Sequence, residues 1–169
     1  LWPFLRMRPI DVIANPKDTP KSIFISSFDS NPLAPDNDFI FDGKDAEFNA
    51  GLEMLGMLTD GTVHLQTRPN SSPVFKNASG VQVNTVNGVH PAGNVGVQMH
   101  HIDPINKGDV VWYINPQDVL ILGRYALTAK YDASKVVVVC GENIKERKYV
   151  KTIIGSSIKS ILPCNSEEN

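Results

Sequence analysis

The stretch "VVWYINPQDVLILGRYALTAKYDASKVVVVC", Val110 to Cys140, decides the fold class. Its opening "VVWYI" is apolar and rich in β-branched and aromatic residues, which reads as a strand. Asn115 then offers a helix cap, and Pro116 suits the first helical position, where its missing N–H costs nothing. Asp118 puts an acid in the first turn, where the helix dipole favours one. The apolar body Val119 to Leu127 leads into "KVVVVC", apolar throughout, as a strand covered on both faces is. Strand, helix and strand at these lengths predict right-handed crossovers and a mainly parallel sheet with helices on both faces.

The same alternation extends towards the N-terminus. "SIFISSF" (22–28), "TVHLQT" (62–67) and "VQVNTV" (81–86) read as further strands. Between the first two, Phe48, Leu52, Leu55 and either Met54 or Leu58 recur at three- and four-residue spacing, which predicts a helix. Asp42 or Asp45 is its expected cap and Asp60-Gly61 its stop. "RPNSSPVFKNASG" (68–80) holds so much Pro, Ser and Asn that an exposed connection without regular structure is expected. These signals predict an α/β fold: a Rossmann-like three-layer αβα domain over residues 22–140, preceded by an extended N-terminal arm over 1–21. After Gly141 the pattern changes to a turn, an alternating strand over Tyr149 to Ile154 and a short helix from Ser156, so a boundary is expected there.

Composition narrows the function. With 169 residues, 41% of them hydrophobic, the chain can bury one main core. A formal charge of -2 with scattered rather than blocked charges argues against nucleic acid and against a polybasic membrane anchor. No apolar run approaches the roughly eighteen residues of a membrane span. The chain opens on Leu1 and the amphipathic "LWPFLRMRP", and it is expected to be a piece of a longer protein. Cys140 and Cys164 lie far apart without a Cys-x-x-Cys pair, which fits inert thiols rather than a metal or cluster site.

Three of the four histidines fall in "NGVHPAGNVGVQMHHIDPI", Asn87 to Ile105. A helix over Asn94 to Ile102 would align Val95, Met99 and Ile102 on one stripe and send His100 and His101 to opposite flanks, so no metal is expected there. His90, Pro91 and Gly93 read as a strand-to-helix turn in which glycine permits a close backbone approach. The turn and the two following histidines are candidates for an interface. No Gly-x-Gly-x-x-Gly is present, since "AGNVGV" supplies only Gly93 and Gly96, and no phosphate loop or nucleophile motif occurs. No catalytic residue is assigned.

Six pieces in order, "WPFLRMRP", "FDSNPLAPD", "GLEMLGMLTDG", "HPAGNVGVQMHHIDPI", "VVWYINPQDVLILG" and "YVKTIIGSSIKSIL", closely resemble the A subunit of the bacterial sodium-translocating NADH:quinone reductases. The resemblance implies kinship with the flavoprotein subunit of complex I and its Rnf counterpart. It implies that residues 141–169 are the start of a β-grasp (SLBB) domain, cut short. It also implies a peripheral scaffold without a redox cofactor on the cytoplasmic face of the bacterial inner membrane. There it would dock on the membrane subunits of the sodium-pumping complex and contribute to ubiquinone or menaquinone binding. In the flavin-binding relative a Gly-rich loop and an acidic Gly-Glu-Glu run hold flavin and NADH; this chain has neither. Pro116 and Asn94 stand where relatives usually carry an aromatic and an aliphatic residue.

For the quinone that the resemblance implies, the side chains of Leu1–Pro9 are the candidates: Trp2 and Phe4 could stack on the ring and Arg6 and Arg8 could donate to its carbonyls. The alternative is an extended arm whose apolar residues cover the sheet and whose arginines pair with surface acids. Two other readings remain open: a nucleotide- or flavin-binding enzyme domain, and an adaptor that takes no ligand.

Overall fold

A computed structural model of the chain describes residues 1–142, 144 and 146–162. The remainder of the expected tail, Cys164 included, lies outside the described residues. After a 3-10 turn at Trp2–Phe4, the chain forms eight strands and six α-helices among the described residues. A six-stranded sheet is built from β1 (Arg6–Arg8), β2 (Val12–Ile13), β3 (Ser22–Ser26), β4 (Thr62–Thr67), β5 (Gln82–Thr85) and β6 (Val111–Tyr113), in the spatial order β2-β1-β6-β3-β4-β5. Strands β6, β3, β4 and β5 run parallel, while β1 joins β6 antiparallel and carries β2 on its far side. The expected α/β class with a mainly parallel sheet is what the chain adopts.

One face of the sheet is covered by α2 (Asp45–Gly56) and α5 (Pro116–Thr128), with the shorter α1 (Asn37–Ile40) and α3 (Pro73–Lys76) beside them. Ile23, Ile25, Leu65, Trp112 and Ile114 supply the sheet's share of that core, and Phe48, Leu52, Leu55, Val119 and Leu120 the helices' share. The other face carries α4 (Val95–Ile102), whose Met99 is buried with Phe24 and Val111, while Val95 and Ile102 pack alongside. The predicted stripe on this helix is therefore its buried face.

Several sequence expectations are corrected. "KVVVVC" does not enter the parallel sheet: β7 (Ser134–Val139) pairs antiparallel with β8 (Lys148–Ile153) in a separate two-stranded sheet, and only Val139 in it is fully buried. A run of valines satisfies a half-covered hairpin as well as a central strand, so the sequence pattern could not separate the two. Gly141 falls in the connection between β7 and β8. Cys140, expected as a buried strand residue, is half-buried at the end of β7. Residues 1–21, expected as an arm, contribute β1 and β2 to the main sheet.

The polar run 68–80 contains α3, which drives Phe75 into a triangle with Phe41 and Phe48 at centroid separations of 4.8, 5.3 and 5.4 Å. Pro73 starts that helix, so the residue read as a breaker acts as a first-turn residue. Neither Asp42 nor Asp45 caps α2: Lys44 is the capping residue, and Asp45 lies inside the first turn.

Candidate functional site

Strand β3 continues into β4 on one side, yet the chain returns through α4 to place β6 on β3's other side. The connections leaving the carboxyl ends of β3 and β6 therefore diverge, and a crevice opens between them, as is general at such a switch point. This crevice has a volume of about 680 Å³ and is bordered by Ser26, Phe28 and Asp29 after β3, by Gly93 to Val97 at the start of α4, and by Tyr113 to Gln117 at the start of α5. Arg8 and Lys135 bring positive charge to its walls. The loop from Asp29 to Pro35 separates it from a second cleft of about 720 Å³, which lies at the ends of β3, β4 and β5 and is lined by Ser27, Asp38, Arg68 and Asn87.

Close packing of the turn before α4 fixes this geometry. Gly93 sits against Ser30, where a Cβ would overlap the Ser30 backbone N–H. Its own N–H donates to Ser30 Oγ at 2.9 Å, and His90 Nδ1 lies 3.1 Å from the same hydroxyl. The expected turn of His90, Pro91 and Gly93 thus clasps the loop after β3. Pro91 follows a cis peptide bond and, like His90, is exposed. Beneath the turn, the buried Gln98 donates to Ser26 Oγ at 3.0 Å and to the Ala92 carbonyl at 2.9 Å, tying α4 to the end of β3.

The four residues named for quinone contact do not converge. Trp2 lies on the α2/α5 face, edge-on to Trp112 with centroids 5.6 Å apart, and its indole N–H donates to the Ala14 carbonyl at 2.6 Å. Phe4 packs against the same core. Arg6 and Arg8, two apart on β1, point to the opposite face, as strand alternation requires. There Arg6 pairs with Asp11 at 3.3 Å, and Arg8 lies over the Tyr113 ring, 5.0 Å from its centroid. Tyr113 donates its hydroxyl to Asp11 Oδ1 at 2.7 Å. That hydrogen bond, followed by those from Arg6 and the charges of both arginines, holds the Asp11 carboxyl below its ordinary range against the opposing effect of burial. Only Arg8 of the four borders the crevice.

His100 and His101 are both exposed at the end of α4, far along the helix from its crevice end. They do not diverge as their spacing suggested: their rings meet edge to face with centroids 5.4 Å apart. Imidazoles on consecutive helical residues can swing together because their side chains reach beyond the 100° separation of their Cα atoms. Among the described residues no group of three or more His, Cys, Asp or Glu is placed to hold a metal ion.

Sequence reasoning missed Tyr113, Lys135 and Gln117 as parts of the crevice wall. The signal available for Tyr113 and Gln117 was their position at a strand's carboxyl end and the following helix start. Lys135 had none, because it reaches the site only through the packing of β7 on α5.

The model of the family described as the NqrA second alpha/beta domain matches residues 1–131. The A subunit of the Na(+)-translocating NADH-quinone reductase of Pasteurella multocida is 36% identical over 161 residues, covering 95% of this chain and 36% of that protein. The protein of the same name from Rhodopirellula baltica is 34% identical over 162 residues, with 96% and 36% covered. That of Klebsiella pneumoniae is 34% identical over 169 residues, with 99% and 38% covered. The chain therefore spans little more than a third of the length of the curated relatives it matches.

Proposed function

The chain belongs to the family of NqrA second alpha/beta domains, and from that premise we propose that it serves as a peripheral domain of a sodium-translocating NADH:quinone reductase. The family match over residues 1–131 carries this reading, and relatives named as the A subunit of that enzyme support it. In this proposal the domain is a Rossmann-like scaffold without a redox cofactor, docked on the membrane subunits at the cytoplasmic face of the bacterial inner membrane. Residues from Gly141 onward begin a β-grasp domain. No helix among the described residues is long and apolar enough to cross a membrane, which fits attachment through partner subunits. The absence of Gly-x-Gly-x-x-Gly supports the reading without flavin or nucleotide.

Contact with ubiquinone or menaquinone belongs to the same proposal, with Leu1–Pro9 as the contacting segment. Arg8, which borders the crevice and lies over the Tyr113 ring, supports it, while Trp2 and Phe4 face the other side of the sheet. Trp2 has its N–H committed to Ala14, so in this reading it offers ring surface rather than a hydrogen bond.

The assembled complex containing this chain tests both parts. Co-purification with the membrane subunits, and no flavin absorbance from the isolated chain, are the expected results. A bound flavin, or failure to assemble, would overturn the scaffold reading. A photoreactive quinone analogue is expected to label Leu1–Pro9. Labelling confined to other regions of an intact complex removes the quinone contact while leaving the place of the chain in the complex standing.

A further inference from the structure

Asn87 and Gly88 join β5 to the turn that clasps Ser30, and they form the one Asn-Gly pair in the chain. Both residues are exposed and belong to no helix or strand. Just before them the Val86 N–H donates to the Thr67 carbonyl at 2.8 Å, and just after them the Ala92 N–H donates to the Val89 carbonyl at 2.9 Å. Between these two anchors, among the described residues, the Gly88 N–H meets no acceptor and the Asn87 carboxamide has no hydrogen-bond partner.

An asparagine followed by a free backbone N–H holds an electrophile and a nucleophile in one short segment, where proximity replaces a second-order encounter. The other asparagines lack one part of this pair. Asn70 is exposed too, but the next N–H, that of the buried Ser71, donates to the Arg68 carbonyl at 3.1 Å. Asn15, Asn31 and Asn115 each precede a proline, which has no N–H. At Gly88 no side chain hinders the approach of the nitrogen. The fold itself keeps the residue bare: its φ is +154°, and a Cβ there would stand 3.1 Å from the Ala92 methyl.

We infer that Asn87 is a site of spontaneous covalent modification, converted through a succinimide with Gly88 into aspartyl and isoaspartyl forms, and that the isoaspartyl form loosens the clasp on Ser30. The Gly88 nitrogen gives its proton to solvent base and bonds to Asn87 Cγ. The bond from Cγ to the carboxamide nitrogen breaks, and that nitrogen takes up a proton and leaves as ammonia. Water then opens the ring at either carbonyl. Attack at Cγ gives an ordinary aspartyl residue, whereas attack at the main-chain carbonyl leaves the backbone running through Cβ. Val86 remains anchored to Thr67, so the inserted carbon falls to the turn, where the Gly93 N–H and His90 Nδ1 meet Ser30 Oγ at 2.9 and 3.1 Å. The inference stands apart from quinone contact and from assembly.

The whole chain, aged at mildly alkaline pH with and without urea and then digested, is mapped by mass spectrometry. The mass gain that exchange of a carboxamide NH2 for OH produces is expected at Asn87 ahead of Asn70, with a peptide of equal mass and different retention marking the isoaspartyl form. A loop that reacts in the folded state keeps its rate within about tenfold of the urea-unfolded chain, whereas a reaction that waits for unfolding slows by about a thousandfold or more. Asn87→Gln, at an exposed position, is expected to lose the gain, because its longer side chain closes the ring poorly. In the isoaspartyl fraction the Gly93 amide is expected to exchange its hydrogen several-fold faster than in the unaged chain. Slowing by about a hundredfold or more in the folded chain, Asn70 reacting ahead of Asn87, or unaltered Gly93 exchange in the isoaspartyl fraction would overturn the inference.

Discussion

The side-chain carboxamide of Gln117 makes two backbone hydrogen bonds with Val136: Nε2 donates to the Val136 carbonyl at 2.9 Å, and the Val136 N–H donates to Oε1 at 2.9 Å. One side chain on α5 thereby does at the outer edge of β7 what a neighbouring strand would do. Arg124, two turns further along the same face of the helix, donates to the Ser134 carbonyl at 2.9 Å and extends the same seam. The hairpin is fixed to the main body by side-chain contacts rather than by sheet pairing, with Tyr149 of β8 accepting from the Asp36 N–H at 3.0 Å on its other strand.

Replacing Gln117 by Ala removes both bonds and is expected to cost about 1–3 kcal/mol, concentrated in the hairpin. Hydrogen exchange of the Val136 amide should quicken along with β7 and β8 while β3 and β4 keep their protection. Uniform loss of protection across both sheets would show that the seam is not separable from the core.

Where α2 and α5 cross, both helices present glycine. A Cβ on Gly123 would overlap the Glu47 carbonyl, and one on Gly51 would overlap that of Val119. Gly123→Ala is expected to force the helices apart and cost about 1–3 kcal/mol or more. Gly56→Ala, with nothing within 4 Å of the added methyl, should change stability by no more than about 1 kcal/mol. Urea unfolding of the two variants makes the comparison; equal midpoints would refute the close crossing.

His64 is buried on β4, stacked on Phe24 at 4.7 Å, with Asn84 Nδ2 3.3 Å from its Nδ1. Burial lowers its pKa below the ordinary 6.5, with the nearby Asp103 acting in the opposite direction. The unfolded chain therefore takes up this proton first. The contribution of neutral His64 to stability is complete above pH 6.5 and declines as pH falls from there towards the lowered folded value. Imidazole resonances followed by NMR should show His64 titrating below the ordinary 6.5, and a midpoint at or above that value would contradict this.

Two adjacent imidazoles make a poor metal site where no third ligand joins them, and none does among the described residues. Titration with zinc is expected to show no stoichiometric tight binding at His100 and His101. Replacing both by Ala should leave stability within about 0.5 kcal/mol, because both side chains are exposed. A tight, histidine-dependent zinc site would require a ligand supplied from elsewhere.

The sequence determined the elements whose burial repeats along their own length. Strands β3, β4 and β6 and helices α2, α4 and α5 were legible because each has enough residues to show its period or its punctuation, as Asn115-Pro116 does for α5. The close approach at Gly93 was legible too, from a glycine in a turn before a helix. Missing from the local signal was everything decided by a partner distant in sequence. Three residues, Arg6 to Arg8, are too few to show a period, and it is pairing with β6 that splits them, sending Met7 towards Trp112 and Arg8 to the crevice. Four consecutive valines carry no face preference, so whether β7 joins the parallel sheet or forms a hairpin is settled by β8 and by Gln117. Periodicity records which side of a segment is covered, whereas strand order and the meeting of Arg8 with Gly96 depend on competition among contacts far apart in the chain, which only the tertiary structure resolves.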